Sequence, residues 1–428
     1  MPLAMTQALR HYLTITGNYW LFTLTDGAIR MLVVLHFYQL GYSPFAIAML
    51  FLFYEFFGIV TNLVGGWLGA RIGLNRTMQV GTGLQIVALL MLTVPDAWLT
   101  VVYVMLAQAL SGIAKDLNKM SAKAGVKLVA REGNAQLFRW VAWITGSKNA
   151  LKGAGFFLGA VLLAALGFQG AMGLLAALLG VGFLMTLTLP GGFGAIKGKS
   201  GFRQMFSREP LINWLAAARL FLFGARDVWF VVALPVFLVS IGWDFHWVGA
   251  YLALWVIGYG LVQSAAPWLL GARRSKAGRH PGNNGDGASD GPRDGPGART
   301  AVAWSFALVL PLGALLLAIA SGQTAGWMIT LGLAFFGVVF ALNSATHSYL
   351  VLRYSADEKA SQNVGFYYAA NAGGRLLGTV LSGASYQWLG IAGSLGFALA
   401  FVMIAGLLSL RLVALESGLS GDGGHAVE

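Results

Sequence analysis

The sequence predicts an all-α membrane protein whose twelve transmembrane helices form two parallel pseudo-repeats of six. Three observations support this fold class. The 428 residues are 57% hydrophobic and 10% charged, with a mean hydropathy of +0.70, whereas soluble domains carry about 25% charged residues. Apolar stretches that match the roughly 20 residues needed to cross a bilayer recur along the chain. Short segments of the first half also recur in the second half.

The apolar stretches are separated by short polar or glycine-containing connectors, which leave little chain for an extramembrane domain. This composition cannot cover a water-exposed surface, so a soluble enzyme is excluded. The predicted spans are residues 12–40, 45–69, 77–95, 97–117, 137–166, 168–190, 211–240, 245–270, 301–320, 326–350, 360–388 and 390–412.

Basic residues mark every second connector. Of the 28 lysines and arginines, six are assigned to the interior of predicted spans, and the other 22 to connectors, termini and span ends on one side of the membrane. By the positive-inside rule that side is cytoplasmic, so both termini are predicted there, in a protein of the inner (plasma) membrane. The net charge of +12 therefore reflects topology rather than binding to nucleic acid.

Two halves of the chain resemble each other. Asp26 aligns with Asp227 at an offset of 201, and residues 155–159 align with residues 374–378 at an offset of 219. Both of the latter segments are GxxxG patterns, which let helices approach closely. An offset of about 200 that keeps the membrane orientation indicates parallel repeats. The predicted organisation is an N-terminal bundle (1–190), a cytoplasmic linker (191–210), a C-terminal bundle (211–412) with a disordered cytoplasmic loop (275–300), and a cytoplasmic tail (413–428).

Charged residues inside the spans predict a binding cavity. Each basic residue at bilayer depth costs about 2.5–3.5 kcal/mol on insertion scales. Six such residues face three buried carboxylates, and the surplus indicates a positive cavity for an anion. Spacings of four or seven residues place members of each set on one helix face. The predicted substrate-binding residues are Arg30, Lys148, Lys152, Arg219, Arg226, Asn343 and Arg375.

Four further residues are predicted to orient the arginines or to carry a coupling proton: Asp26, Glu55, Asp227 and His347. Structural alternatives stay open for several of these residues and for Arg219. Asp26 and Arg30 are four residues apart and could form only an intrahelical pair. Arg219 could extend to the membrane surface. Glu55 and His347 could be packed polar groups.

Four lysines form a ladder with a spacing of four residues, from Lys115 and Lys119 through Lys123 to Lys127. One interpretation is a stripe that contacts anionic lipid headgroups. The other is an electrostatic funnel for an anionic cargo. Under the second interpretation Lys115, Asp116 and Lys119 form a cytoplasmic entrance.

Motifs for enzymatic chemistry do not occur. The chain has no cysteine, which removes disulfides and thiolate chemistry. No zinc-spaced cluster appears, and Phe193 stands where a P-loop near Gly198 requires glycine. No enzyme activity, metal or cofactor is predicted.

The connector after the second predicted span, residues 66–76, is similar to the major facilitator loop signature G-x-x-x-D-R-x-G-R-R. Gly66, Arg71, Gly73 and Arg76 match it and are predicted as gating residues. Ala70 stands where that signature has aspartate.

A resemblance to a narrower family covers nearly the whole chain. It rests on Thr16–Trp20, Phe22–Gly27, Ser111–Ser121, Gly146–Gly153 and Ala218–Trp229. These segments resemble the ArsJ-type organoarsenical efflux permeases, members of the major facilitator superfamily. The resemblance implies export of 1-arseno-3-phosphoglycerate, which a glyceraldehyde-3-phosphate dehydrogenase partner makes in the cytoplasm, and hence arsenate resistance.

The cavity charge agrees with this cargo, because the ester carries several negative charges. The alternatives are a proton-coupled multidrug exporter, another organic-anion transporter on the same fold, for example for a sugar phosphate, and a membrane enzyme or receptor. A multidrug exporter for cations would need an apolar or acidic cavity, and an enzyme or receptor would need a catalytic constellation or an extramembrane domain.

Overall fold

The computed structural model describes residues 2–72, 74–129, 134–189, 209–269, 296–323, 325–354 and 360–421, and this part of the chain is helical with no strand. The first half holds six α-helices and a 3-10 turn at Asp96–Trp98: α1 (Pro2–Gln39), α2 (Pro44–Leu50), α3 (Leu52–Ile72), α4 (Leu74–Met91), α5 (Val101–Val129) and α6 (Asn134–Thr186). The second half holds α7 (Pro210–Phe230), α8 (Ala233–Ser240), α9 (Phe245–Leu269), α10 (Ala298–Ala307), α11 (Val309–Ala320), α12 (Gly326–Arg353) and α13 (Ala360–Gly421).

The predicted all-α membrane fold is confirmed. Within the described residues, eight helical segments are long and apolar enough to cross a membrane. Two of these, inside α6 and α13, are 39 and 53 residues long and exceed the length of one bilayer crossing. Both contain a glycine with non-helical backbone angles, Gly167 (φ 68°) and Gly390 (φ 64°). These two glycines lie at connectors that the sequence predicted, so each long helix is two helices joined at a left-handed residue.

Two prolines account for two helix interruptions in the second half, and a serine accepts from the freed amides at one of them. Pro235 lies four residues after Val231 and Pro311 four residues after Ala307. A proline cannot donate to the carbonyl four residues earlier, and its ring crowds that carbonyl. The helices therefore break, α7 from α8 and α10 from α11. At the first break the Ser382 hydroxyl of α13 accepts hydrogen bonds from the amides of Val232 and Ala233, at 3.1 and 3.0 Å.

Glycine seams join the first helix of each half to a later helix of the same half. A Cβ placed on Gly155 or Gly159 of α6 would lie 2.4 Å from a carbonyl oxygen of α1. A Cβ on Gly374 or Gly378 of α13 would lie 2.0 or 2.7 Å from a carbonyl oxygen of α7. Only glycine permits backbones this close. The two GxxxG segments aligned in the sequence therefore occupy equivalent packing positions.

The two halves touch along α6 and α9 and between α13 and the α2–α3 pair. Just before Gly390 of α13, the Phe45 amide donates to Gln387 Oε1 at 3.1 Å, and the rings of Phe45 and Trp388 stack at 5.8 Å. A Cβ on Gly383 would lie 2.4 Å from the Pro44 carbonyl oxygen. The halves are therefore in close contact on the side of the Gly41–Pro44 connector.

The division into two bundles at residues 191–210 stays a prediction. Residues 190–208 and 270–295, which include most of the predicted linker and loop, lie outside the described residues, as do residues 422–428 of the predicted tail.

Candidate functional site

Glu55 is the centre of a buried ion network. It lies on α3 one turn after the α2–α3 interruption and is fully buried. Its Oε1 accepts from Arg30 Nη2 of α1 at 2.7 Å and from Arg375 Nη2 of α13 at 2.6 Å. Glu55 therefore binds one arginine from each half of the molecule. The predicted alternative of an intrahelical Asp26–Arg30 pair is wrong, because the carboxylate partner of Arg30 is Glu55.

Arg375 also reaches the carboxylate of Asp227, which is buried on α7. Its Nε lies 3.3 Å from Asp227 Oδ2. The neighbouring Arg226 binds the other oxygen of Asp227 with Nη2 at 2.5 Å and Nε at 2.6 Å. Such a two-pronged contact fixes the guanidinium plane. Asp227 thus contacts two arginines, and its role in orienting them for a cargo stays a prediction.

Asp26 lies in the first half beside the same network. Tyr54, which precedes Glu55, donates its hydroxyl to Asp26 Oδ1 at 2.5 Å. Lys152 of α6 places its Nζ 3.8 Å from Asp26 Oδ2. The Tyr54 ring lies 5.0 Å from the Arg30 guanidinium carbon and 4.0 Å from Lys115 Nζ. Tyr54 therefore connects the Asp26 carboxylate to two cations.

The predicted entrance residues Lys115, Asp116 and Lys119 are in contact with one another, and their role as an entrance stays a prediction. Asp116 is only 1% exposed and lies 2.6 Å from Lys119 Nζ and 3.8 Å from Lys115 Nζ. Lys119 Nζ also donates to Asn62 Oδ1 at 2.7 Å. These residues form a partly buried polar cluster between α3 and α5, and Lys115 extends from it to Tyr54. The regular lysine spacing suggested an external stripe, but tertiary packing turns its first members inward.

The central cluster, defined as Arg30, Lys115, Lys152, Arg226, Arg375, Asp26, Glu55 and Asp227, carries five cations and three carboxylates. Two positive charges exceed the carboxylates. Arg226, Arg375 and Lys152 keep 16%, 17% and 20% of their side-chain surface exposed, whereas Glu55 keeps none. The cations are thus accessible to a ligand while Glu55 is enclosed. The arrangement can bind an anion but contains no nucleophile held against a base.

Arg219 lies on α7, away from the carboxylates. Its Nε donates to Asn371 Oδ1 at 3.0 Å and its Nη1 to the Ser344 carbonyl oxygen at 3.1 Å. Its guanidinium carbon lies 3.9 Å from the Phe223 ring centre. Since Arg219 is only 4% exposed, the alternative of a side chain that extends to the surface is wrong.

The remaining predicted residues are distributed more widely. Asn343 is buried and donates to Ser305 Oγ of α10 at 2.9 Å, so its side-chain amide binds α10. His347 is fully buried, with no hydrogen-bond partner among the described residues for either ring nitrogen. Lys148, one turn before Lys152 on α6, is half-buried.

The predicted gating loop is described only in part. Gly66 and Arg71 lie within α3, but the side chain of Arg71 and the whole of Gly73 lie outside the described residues. Arg76 is exposed near the start of α4. The gating role of these residues stays a prediction.

Sequence reasoning missed Tyr54, and it did not predict that Glu55 contacts both halves. The only signal for Tyr54 is its position beside a carboxylate in an apolar span. No group of His, Asp and Glu residues that could hold a metal ion occurs in the described part of the chain.

Comparisons with known proteins support this architecture. The sequence model of the Major Facilitator Superfamily matches residues 15–283. Among curated proteins none matches the sequence. A crystal structure of the nucleoside transporter NupG superimposes with a TM-score of 0.69 at 16% identity, and the match covers 95% of this chain and 99% of that one.

A crystal structure of a D-xylose-proton symporter gives the same TM-score at 11% identity, covering 95% of this chain and 98% of that one. Both structures are similar in fold, and the family match extends over more than half of the sequence. The chain is a multi-pass membrane transporter rather than an enzyme, and it belongs to the Major Facilitator Superfamily.

Proposed function

We propose that this protein is a secondary active exporter of an organic polyanion, and that the cargo is 1-arseno-3-phosphoglycerate. The observation that carries the proposal is the positive surplus of the central cluster, in which five cations face three carboxylates. An uncompensated charge at this depth is expensive without a counterion. A cargo with a phosphate and an arsenate group supplies that counterion at two points.

Arg30, Arg226 and Arg375 are proposed to bind the anionic groups through paired N–H donors, and Lys152 with Lys148 to add point charges. Asp26 and Asp227 orient these cations. The partial exposure of Arg226, Arg375 and Lys152 supports their assignment, since a ligand can reach them. The position of Asn343 against α10 gives no support for its predicted contact with the cargo.

Alternating access is proposed to act on the contact between Glu55 and Arg375, which joins the two halves at 2.6 Å. A bound phosphate competes with Glu55 for the Arg375 guanidinium. The cargo therefore weakens one link between the halves while it is bound. This coupling needs no cofactor.

The proposed setting is the inner membrane of a bacterium, with both termini cytoplasmic and two bundles joined near residues 191–210. Asp116 and Lys119 then lie on the cytoplasmic side of the central cluster, next to its member Lys115, where an anionic cargo would approach. The functional partner is a glyceraldehyde-3-phosphate dehydrogenase that joins arsenate to the triose phosphate, and the ester decomposes after export.

The decisive experiment is uptake of synthetic 1-arseno-3-phosphoglycerate into everted membrane vesicles that contain the protein. We expect saturable uptake that 3-phosphoglycerate and sugar phosphates inhibit only weakly. Uptake of a sugar phosphate in preference to the arseno-ester would instead support the alternative organic-anion transporter, and uptake of cationic drugs would overturn the proposal.

A cellular test complements the vesicles. Cells that express the protein with its dehydrogenase partner should tolerate arsenate and gain nothing against arsenite. Protection from arsenate in cells that lack any dehydrogenase able to form the ester would show that a different species is exported.

A further inference from the structure

Arg219 carries a buried positive charge outside the central cluster. It is 4% exposed, and no carboxylate of the described residues lies within ion-pair distance of it. It precedes Arg226 by seven residues on α7, which corresponds to about 10 Å along the helix axis. The charge of Arg219 is therefore not balanced by the carboxylates of the central cluster.

A neutral frame holds the Arg219 guanidinium in place. Asn371 and the Ser344 carbonyl accept from two of its nitrogens, Nε and Nη1, at 3.0 and 3.1 Å. The rings of Phe223 and Tyr367 lie 3.9 and 5.2 Å from its central carbon. The third nitrogen, Nη2, donates no hydrogen bond within the described part of the chain. The frame therefore fixes the orientation of the group and leaves one pair of donors unused.

His347 lies on α12 one turn after Ser344, whose carbonyl accepts from Arg219. Residues three apart lie on one face of a helix, so His347 lies on the face of α12 that Arg219 contacts. His347 is completely buried, and neither ring nitrogen has a partner among the described residues. A buried polar group without a partner is destabilising. Two independent observations, an unbalanced cation and an unpartnered imidazole, thus converge on one location.

We propose that Arg219 and His347 form a second anion-binding site, which accepts a tetrahedral oxyanion such as a phosphoryl or arsenyl group. The Arg219 Nη2 group and one N–H of His347 donate to its oxygens, and the anion balances the buried charge. The inference deepens the proposed function and rests on it for the class of anion. The site lies closer than the central cluster to the start of α7. An anion would therefore occupy it either before it enters the central cluster or after it leaves.

The test observes His347 directly. Full-length protein labelled with 13C-histidine is placed in lipid nanodiscs, and its spectrum is titrated with inorganic phosphate. The disappearance of one resonance in His347→Gln assigns the signal. We expect a saturable shift of this signal with phosphate and none with chloride at equal ionic strength. The same shift should persist in Arg226→Ala, because the central cluster is a separate site.

Arg219→Gln should raise the phosphate midpoint about tenfold or more, since a charged donor is lost. Arg219→Lys keeps the charge and should give an intermediate midpoint, and it replaces the glutamine variant if that protein does not fold. The control Arg411→Gln removes an exposed cation of α13 and should leave the midpoint unchanged.

Absence of a phosphate-dependent shift at His347 would overturn the second site. A phosphate midpoint in both Arg219 variants equal to that of the unmodified protein would overturn it as well. This result is independent of the vesicle assay. Uptake of the arseno-ester without a His347 shift would leave the proposed function standing and remove the second site. A His347 shift without uptake of the arseno-ester would support the second site and remove the proposed function.

Discussion

Arg226 and Arg219 lie on the same helix, seven residues apart, in opposite electrostatic environments. Arg226 contacts Asp227 Oδ1 with Nη2 at 2.5 Å and Nε at 2.6 Å. Through Arg375 this network extends to Glu55 of the first half. Arg219 is bound by an amide, a backbone carbonyl and aromatic rings. Phe223 lies between them, with its ring 4.8 and 3.9 Å from the two guanidinium carbons.

The comparison teaches that helical spacing predicts a shared face but not a shared role. The paired arginine belongs to a network that links the two halves, so its loss affects both binding and the contact between halves. The unpaired arginine is held by neutral groups of α12 and α13 within one half. Substitution of Arg226 should therefore affect both cargo binding and the contact between the halves. Substitution of Arg219 should leave that contact unchanged.

The largest effect is expected for Glu55→Ala, which removes the carboxylate shared by Arg30 and Arg375. Breaking a buried ion pair by deleting one partner costs about 3–5 kcal/mol, because the remaining charge is uncompensated. Thermal unfolding of purified protein in detergent should show a large loss of stability, and vesicle transport should be absent.

The double variant Glu55→Ala/Arg375→Gln supplies the control. It removes one of the orphaned cations and should regain part of the lost stability without regaining transport. An unfolding midpoint for Glu55→Ala equal to that of the unmodified protein would contradict the central role of this carboxylate.

Arg226→Ala is expected to abolish transport while the protein stays in the membrane. The loss of one charged partner at a buried site typically costs 2–5 kcal/mol, which is roughly 30-fold to several thousand-fold in affinity. Arg226→Lys keeps the charge but loses the planar fork, so measurable but impaired transport is expected. Expression-normalised vesicle uptake measures both.

A purely structural Arg226 predicts a different result. The alanine variant would then give less folded protein, and the remainder would transport at the normal specific rate. That outcome would remove Arg226 from the binding site.

Lys115→Met and Lys119→Met distinguish the two lysines that the sequence placed in one ladder. Lys115 contacts the Tyr54 ring at 4.0 Å, and such a contact is worth about 0.5–2 kcal/mol. We expect Lys115→Met to raise the KM for the arseno-ester by about two- to thirtyfold. Lys119→Met should mainly lower stability, since Lys119 lies 2.6 Å from buried Asp116. Equal increases in KM for both variants would favour an electrostatic funnel instead.

The smallest effect on stability is expected for Arg219→Gln. The substitution removes a buried charge that no described carboxylate balances, and the glutamine amide can still donate to Asn371 or Ser344. The change in unfolding free energy should stay within about 1 kcal/mol, in contrast to Glu55→Ala. A loss of stability as large as that of Glu55→Ala would show that Arg219 has an unrecognised charged partner.

The helices and their connectors could be predicted from the sequence because bilayer burial imposes a strong hydropathy signal. The corners at Gly167 and Gly390 were predicted as connectors, since each lies between two apolar stretches. The GxxxG segments were predicted as close contacts, and both pack against the first helix of their own half. These features depend on local composition or on the repeat.

Partner choice could not be predicted in the same way. Arg30 lies four residues from Asp26, yet it binds Glu55, because helix packing decides which carboxylate lies nearer. Lys115 has the spacing of a surface ladder, but the packing of α5 against α3 brings it to Tyr54. Asn343 has the spacing of a polar face shared with His347, but its amide turns to Ser305 of α10. Each case depends on residues far away in the sequence.

The glycine seams have a mechanical consequence for the central cluster. Because α7 and α13 touch backbone to backbone at Gly374 and Gly378, the intervening Arg375 is carried as one rigid body with Arg226 and Asp227. Asp26 and Lys152 are coupled in the same manner beside the α1–α6 seam. When one half rocks against the other, as proposed for alternating access, the distances inside each body are conserved, and the Arg375–Glu55 ion pair is one of the contacts between the halves that must change. In the proposed transport cycle, this ion pair would hold the two halves together until a bound anion competes for Arg375.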